Sequence, residues 1–243
     1  MTSSLLEDKV AIITGSSRGI GRAMAEIFAA QGARVVVNGR HAGDTESAAQ
    51  AIRGSIAVVG DMSEQSGIDA MVSRVTSELG RIDILINNAA ISRRSAVTRV
   101  TDEEWNEVIR VNLTGPMFLT RAVVPVMKAL GGGVILNVVS GAGTDGTVGF
   151  SSYSASKGGL VGLTKTWAKE LGRFGIRVNA LSPSALTDMM RQLPPEVLGP
   201  MEAQLASPEE VARVALLIVS DLGQSVHGQI ISARRGPTDP SLG

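Results

Sequence analysis

The chain has 243 residues, 44% hydrophobic and 19% charged, which is enough apolar surface for a large core and argues against disorder. Lys plus Arg and Asp plus Glu both number 23, so the basic field that a nucleic-acid partner needs is missing. Cysteine is absent and only His41 and His227 are present, which excludes disulfides, thiolate nucleophiles and His-rich metal sites, and no metal is expected. No apolar run reaches the roughly 18 residues of a spanning helix, and Met1 to Lys9 carries Glu7 and Asp8 instead of a signal-peptide core, so a cytoplasmic protein with no membrane partner is the expectation.

Short β-branched runs alternate with helical patterns. Strands are predicted over 10–14, 34–38, 56–59, 82–87, 134–139, 177–181 and 229–232, apolar on both faces as in a parallel sheet covered on both sides. Helices are predicted over 19–31, 44–53, 64–79, 102–130, 152–172, 188–204 and 208–220. This alternation implies right-handed crossovers and a single α/β domain over 1–243, a doubly wound seven-stranded parallel sheet of Rossmann type with helices on both faces. Met189, Met190, Leu193 and the paired Pro194 and Pro195 suggest a small substrate lid near 184–205. Ligands of such sheets sit outside the carboxyl ends of the strands, where every motif below falls.

The first strand runs into Thr14-Gly15-Ser16-Ser17-Arg18-Gly19-Ile20-Gly21 and then a helix. Glycines let the backbone approach a pyrophosphate, and a helix N-terminus favours its charge. At the end of the second strand, where an NAD site places a carboxylate on the ribose, the chain reads Asn38-Gly39-Arg40-His41. Arg40, with Arg18 from the first loop, suits a 2′-phosphate, so NADP(H) is favoured over NAD(H); Asp44 and Glu46 come later, on the next helix, and do not fit the ribose role. The third strand is followed by Asp61-Met62, where Asp61 would either accept from the adenine amino group or cap the next helix. The fourth ends in Asn87-Asn88-Ala89-Ala90, small residues that let the backbone and Asn88 lie against a ribose or simply make a tight turn.

Helix 152–172 places Tyr153 and Lys157 one turn apart, on or beside a stripe of Leu160, Leu163, Trp167 and Leu171. A cation next to a phenol favours phenolate and would lower the tyrosine pKa, giving a proton donor and acceptor. Ser140 lies at the carboxyl end of the fifth strand, where a hydroxyl stabilises a developing oxyanion; no nucleophile elbow surrounds it. Thr101 to Glu104 reads as a capping box, after which Trp105, Ile109, Asn112 and Pro116 share one face. Pro116 clashes with the carbonyl of Asn112, so a kink is predicted there, with that carbonyl free to hold a water.

Together, Thr14-Gly15-x-x-x-Gly19-x-Gly21, Asn87-Asn88-Ala89, Asn112, Ser140 and Tyr153-x-x-x-Lys157 resemble the short-chain dehydrogenase/reductase family in its single-domain branch, from Lys9 to about Ser232. The resemblance implies an NADPH-dependent ketoreductase similar to 3-oxoacyl-carrier-protein reductases. Tyr153 is then the general acid/base, Ser140 orients the carbonyl, Lys157 binds the nicotinamide ribose and lowers the Tyr153 pKa, and Asn112 holds a relay water. Gly15, Ser16, Ser17, Arg18, Gly19, Ile20, Gly21, Arg40, Asp61, Met62, Asn88 and Ala89 would bind the cofactor with Tyr153 and Lys157. Pro183, Ser184, Leu186 and Thr187 would meet its nicotinamide end, with Ser184 or Thr187 on the carboxamide. A homotetramer or homodimer is implied, with helices 102–130 and 152–172 forming one interface.

The chain departs from the family at Ala90, Pro183-Ser184 and Arg234-Arg235-Gly236, and Gly131-Gly132-Gly133 stands where carrier-protein reductases tend to be basic; near the end of the Tyr helix Arg173 is basic. The expected substrate is a small carbonyl or alcohol, with acyl thioesters and polyketide-like compounds among the candidates. Its specificity is expected from segments 91–100, 141–152 and 184–205, and Arg93, Arg94 and Arg99 are read as surface residues before anion receptors. The alternatives are an NAD-dependent alcohol or sugar dehydrogenase and a non-catalytic dinucleotide-binding protein.

Overall fold

The computed structural model describes residues 4–184 and 205–234. Its elements run β1 (Val10–Ile13), α1 (Gly19–Ala30), β2 (Arg34–Gly39), α2 (Ala42–Ala51), β3 (Ile56–Val59), α3 (Gln65–Leu79), β4 (Ile84–Asn87), α4 (Asp102–Ile109), α5 (Gly115–Ala129), β5 (Gly133–Val138), α6 (Ala142–Asp145), α7 (Ser151–Leu171), β6 (Ile176–Pro183), α8 (Pro208–Val219) and β7 (Ile230–Ala233). All strands are parallel, in the order β3-β2-β1-β4-β5-β6-β7, as the alternating pattern predicts. The predicted helix over 188–204, most of the lid and the sites at Leu186 and Thr187 lie outside the described residues.

Strand side chains alternate between two cores. Ala11, Ile13, Val35 and Val37 face a cluster with Met24 and Phe28 of α1 and Val211 and Ala215 of α8. Val10, Ile12 and Val36 face Ile68 and Met71 of α3, Val123 of α5 and Leu160 and Trp167 of α7. With helices over both faces, the central strands β1 and β4 are buried along their whole length. A side chain such as Phe28, wholly removed from solvent, contributes about 1.5–3 kcal/mol. Chain order reverses between β1 and β4, which opens a crevice at their carboxyl ends.

The long helix predicted over 102–130 is three pieces. A π-helical turn, Arg110–Thr114, separates α4 from α5, with the Gly115 amide bonded to the Arg110 carbonyl. Pro116 has no N–H for the Asn112 carbonyl, and the extra residue of a π turn absorbs that missing bond. The insertion also rotates the helix face: Trp105 is exposed, whereas Asn112 and Pro116 are buried, so the predicted common face is not formed. Half of the predicted capping box is present. Thr101 accepts from the Glu104 amide, but the Glu104 carboxylate takes the Ser95 hydroxyl at 2.9 Å instead of returning to the cap.

Candidate active site

The glycine turn after β1 is built by close approach. Gly15 and Gly19 adopt φ of +63° and +58°. A Cβ on Gly15 would lie 2.9 Å from the Ala89 Cα, and one on Gly21 would lie 2.5 Å from both the Asn88 amide nitrogen and the Gly15 carbonyl. Above Gly19 there is open space. Gly15 and Gly21 are thus glycine for packing, and Gly19 for its backbone conformation. Arg18, the N-cap of α1, makes no side-chain cap bond, so the first-turn N–H groups are left to a ligand or solvent. This cradle fits a pyrophosphate.

Two predicted cofactor residues serve the turn itself. Ser16 is fully buried and does not line the cleft; its hydroxyl donates to the Ile13 carbonyl at 2.6 Å and accepts from the Asn38 amide at 3.0 Å, locking β1 to β2. Asn88 lines the cleft, but its amide donates to the Thr14 and Gly15 carbonyls at 2.8 and 3.1 Å, holding the turn from beneath. The hub is Thr14, the strand end that opens the glycine signature: its hydroxyl accepts the amides of Asn88 and Ala89, both at 3.0 Å.

Arg40 is exposed at the rim, lining the cleft together with Arg18 and His41. Helix α2 begins two residues earlier than predicted, and Asp44, on this helix as expected, lines the cleft. Asp61 lines the cleft and accepts the Ser63 amide at 2.9 Å. Burial resists its ionisation, but the Ser63 bonds and the Arg40 and Arg110 charges outweigh that and hold its carboxyl below the ordinary range. Met62 is buried against the π turn, where a Cβ on Gly115 would meet the Met62 carbonyl at 2.5 Å.

A cleft of about 840 Å³ joins this cradle to Ser140, Tyr153, Lys157, Pro183 and Ser184. That volume suits a cofactor with its substrate. Ile91 and Leu205, from two of the segments expected to set specificity, and Arg234, from a departure from the family pattern, also line it. The Ser140 hydroxyl accepts the Ala142 amide at 3.2 Å and stands beside the Tyr153 phenol, where it favours the ionised form. What brings the two elements together is a pair of glycines that the sequence reading passed over. A Cβ on Gly143 would meet the Gly158 nitrogen at 2.6 Å, and one on Gly158 would meet the Gly143 carbonyl at 2.9 Å. The segment after β5 therefore lies directly on the α7 backbone at Lys157.

Lys157 is 2% exposed; its ammonium donates to the Val138 carbonyl at 2.6 Å and stands 5.7 Å from the Tyr153 ring centre. Burial lowers its pKa from 10.5 to about 8. Burial also raises the Tyr153 pKa, and the Ser140 hydroxyl offsets only part of that rise. The expected lowering by Lys157 is thus absent: the ammonium is aimed at the sheet, and desolvation dominates the phenol. Asn112 is fully buried and outside the cleft lining, its side-chain amide tied to Ile91 and Ser156. Arg93 pairs with Glu107 at 2.9 Å. Among the described residues, no group of three or more His, Asp or Glu could hold a metal, and no helix is long and apolar enough to cross a membrane.

The fold, the glycine cradle and the Ser140–Tyr153–Lys157 cluster define a dehydrogenase of the Rossmann type. Residues 9–197 match the family model for short chain dehydrogenase, and the chain belongs to that family of oxidoreductases. It is 39% identical over 241 residues to the 3-oxoacyl-(acyl-carrier-protein) reductase FabG of Thermotoga maritima, covering 95% of this chain and 98% of the relative. It is 35% identical to the enzyme of the same name from Escherichia coli K12, covering 95% and 97%. Among solved structures, a 3-ketoacyl-(acyl-carrier-protein) reductase from Brucella melitensis, complexed with NADH, matches with a TM-score of 0.90 at 33% identity, covering 95% of this chain and 98% of that one.

Proposed function

We propose that this chain is an NADPH-dependent ketoreductase acting on 3-oxoacyl thioesters, with Tyr153 as the proton donor. The observation that carries the reading is that Ser140, Tyr153 and Lys157 line one cleft with an uncapped helix N-terminus. The N–H groups at Gly19 to Gly21, with Arg18 and Arg40, would hold the phosphates; Asp61 and Met62 would flank the adenine end, and Pro183 and Ser184 the nicotinamide end. When bound, the reduced nicotinamide supplies a hydride. The Ser140 and Tyr153 hydroxyls converge, so both can donate to one substrate oxygen. Burial keeps the Tyr153 phenol protonated at neutral pH, so it has a proton to give as that oxygen becomes alkoxide. Ser140 stabilises the developing charge, and the Lys157 ammonium would hold the nicotinamide ribose.

The thioester class is suggested by the names of the relatives and by one surface feature. The fold brings Lys128 to Phe174 beside Arg173: the Lys128 ammonium lies 3.8 Å and the Arg173 guanidinium 4.7 Å from the ring centre. This supplies a second basic group where residues 131–133 are all glycine, and it fits an acidic carrier. NAD(H) has one observation in its favour, the Asp44 carboxylate at the cleft.

Two measurements test the reading. In an assay of NADPH oxidation by a 3-oxoacyl thioester, Tyr153→Phe is expected to lower kcat by about 10²–10⁴-fold while NADPH still binds by fluorescence. Turnover at the wild-type rate overturns the role of Tyr153. The kcat/KM ratio for NADPH over NADH is expected to exceed one and to fall in Arg40→Asp; a ratio below one that ignores the substitution assigns the site to NAD(H).

A further inference from the structure

Tyr153 sits in the third position of α7, whose N-cap residue Phe150 makes no side-chain cap bond. First turns of helices fray unless something holds them. In this chain the restraint comes from inside. The Ser156 hydroxyl donates to the Tyr153 carbonyl at 2.7 Å and accepts from the Asn112 side-chain amide at 3.1 Å. The same amide donates to the Ile91 carbonyl at 2.8 Å, and the Asn112 side-chain oxygen accepts from the Ile91 amide at 2.9 Å. Ser156 and Asn112 are both fully buried.

Every link is directional. Both Asn112 N–H bonds and its oxygen are used, so turning the amide over would face its NH₂ against the Ile91 N–H and leave buried donors unmatched. A serine bonded three residues back in its own helix is common and by itself says little. Here that hydroxyl also terminates a chain that starts at a residue of the cleft wall, Ile91, and passes through the π turn. The extra residue of that turn sets the helix register, and with it the placement of Asn112.

We infer that Ser156 is a positioning residue, which fastens the turn carrying Tyr153 to the Ile91 loop through Asn112 and so keeps the phenol against Ser140. The inference rests on the proposed proton-donor role of Tyr153 only for its catalytic consequence. Its structural part is testable without turnover, because Tyr153 is the only tyrosine of the chain. Ultraviolet titration of the phenol therefore reads this one group.

The experiment compares wild type, Ser156→Ala, Ser156→Thr and Asn112→Ala, measuring the tyrosine titration in the free protein, Tm, kcat, and the KM for NADPH. Alanine is the best helix former, so Ser156→Ala leaves the helix itself intact. Loss of the link frees the turn that carries the phenol and lets water reach it, and burial is the largest cause of its raised pKa. The titration is then expected to move to lower pH in Ser156→Ala and in Asn112→Ala. In Ser156→Ala, kcat is expected to fall about 10-fold with KM for NADPH unchanged, and Ser156→Thr, which keeps the hydroxyl, is expected to recover most of it. A wild-type titration in both alanine variants overturns the inference. So does a loss of kcat that tracks Tm alone and is not recovered by threonine. If Tyr153→Phe turns over normally while the titration still moves as expected, the proton-donor role fails and the positioning stands.

Discussion

Replacing Lys157 by methionine is expected to stabilise the protein at neutral pH while lowering reductase activity. The ammonium is 2% exposed and burial brings its pKa from 10.5 to about 8. At about 1.36 kcal/mol per pH unit, holding this charge in the fold costs roughly 3 kcal/mol below pH 8. Methionine fills similar volume without charge, so that cost disappears. Part of the gain is lost because the Val138 carbonyl, which accepts from Lys157 at 2.6 Å, would be left without that donor, at about 1–3 kcal/mol. Because the folded pKa lies below the unfolded one, between pH 8 and 10.5 the unfolded chain holds the lysine proton and the folded chain does not. Wild-type stability should therefore rise with pH through that window, and the contribution of Lys157 should grow more favourable by about 2 kcal/mol from pH 7 to 9.5. Urea unfolding of both proteins at these two pH values, followed by tryptophan fluorescence, isolates this group, since every other titration is shared. The stability advantage of Lys157→Met should shrink by about that amount. Parallel pH dependences in the two proteins would refute the reasoning.

Two further substitutions separate packing from binding. Gly21→Ala places a Cβ 2.5 Å from the Gly15 carbonyl and the Asn88 amide, so it should cost about 1–3 kcal/mol and weaken NADPH binding by displacing the cradle; an unchanged Kd by NADPH fluorescence would contradict the packing argument. The Arg177 guanidinium donates to the carbonyls of Ile218, Val219, Ser220, Gly223 and Val226 around the end of α8. Arg177→Ala should lower unfolding free energy by at least about 2 kcal/mol, and Arg177→Lys, with three donors on a point charge, should recover less than half; equal stability of lysine and arginine in denaturant would show that charge, not the fork of donors, matters.

The architecture and the heart of the site were legible before any coordinates. Strand–helix alternation, glycine spacing after β1, a hydroxyl past β5 and a Tyr–Lys pair one turn apart are all set by local periodicity, since neighbours on one strand or helix keep fixed angular relations. Tertiary structure decided what each side chain does. Ser16 turns inward to lock two strands, Asn88 holds the glycine turn, and Lys157 addresses Val138 instead of the phenol. The same is true of the π turn that rotates Asn112 away from Trp105 and of the Gly143–Gly158 contact that lays Ser140 near Tyr153. These arrangements depend on partners tens of residues away competing for a limited set of buried donors and acceptors, and that competition is resolved only when the whole chain packs.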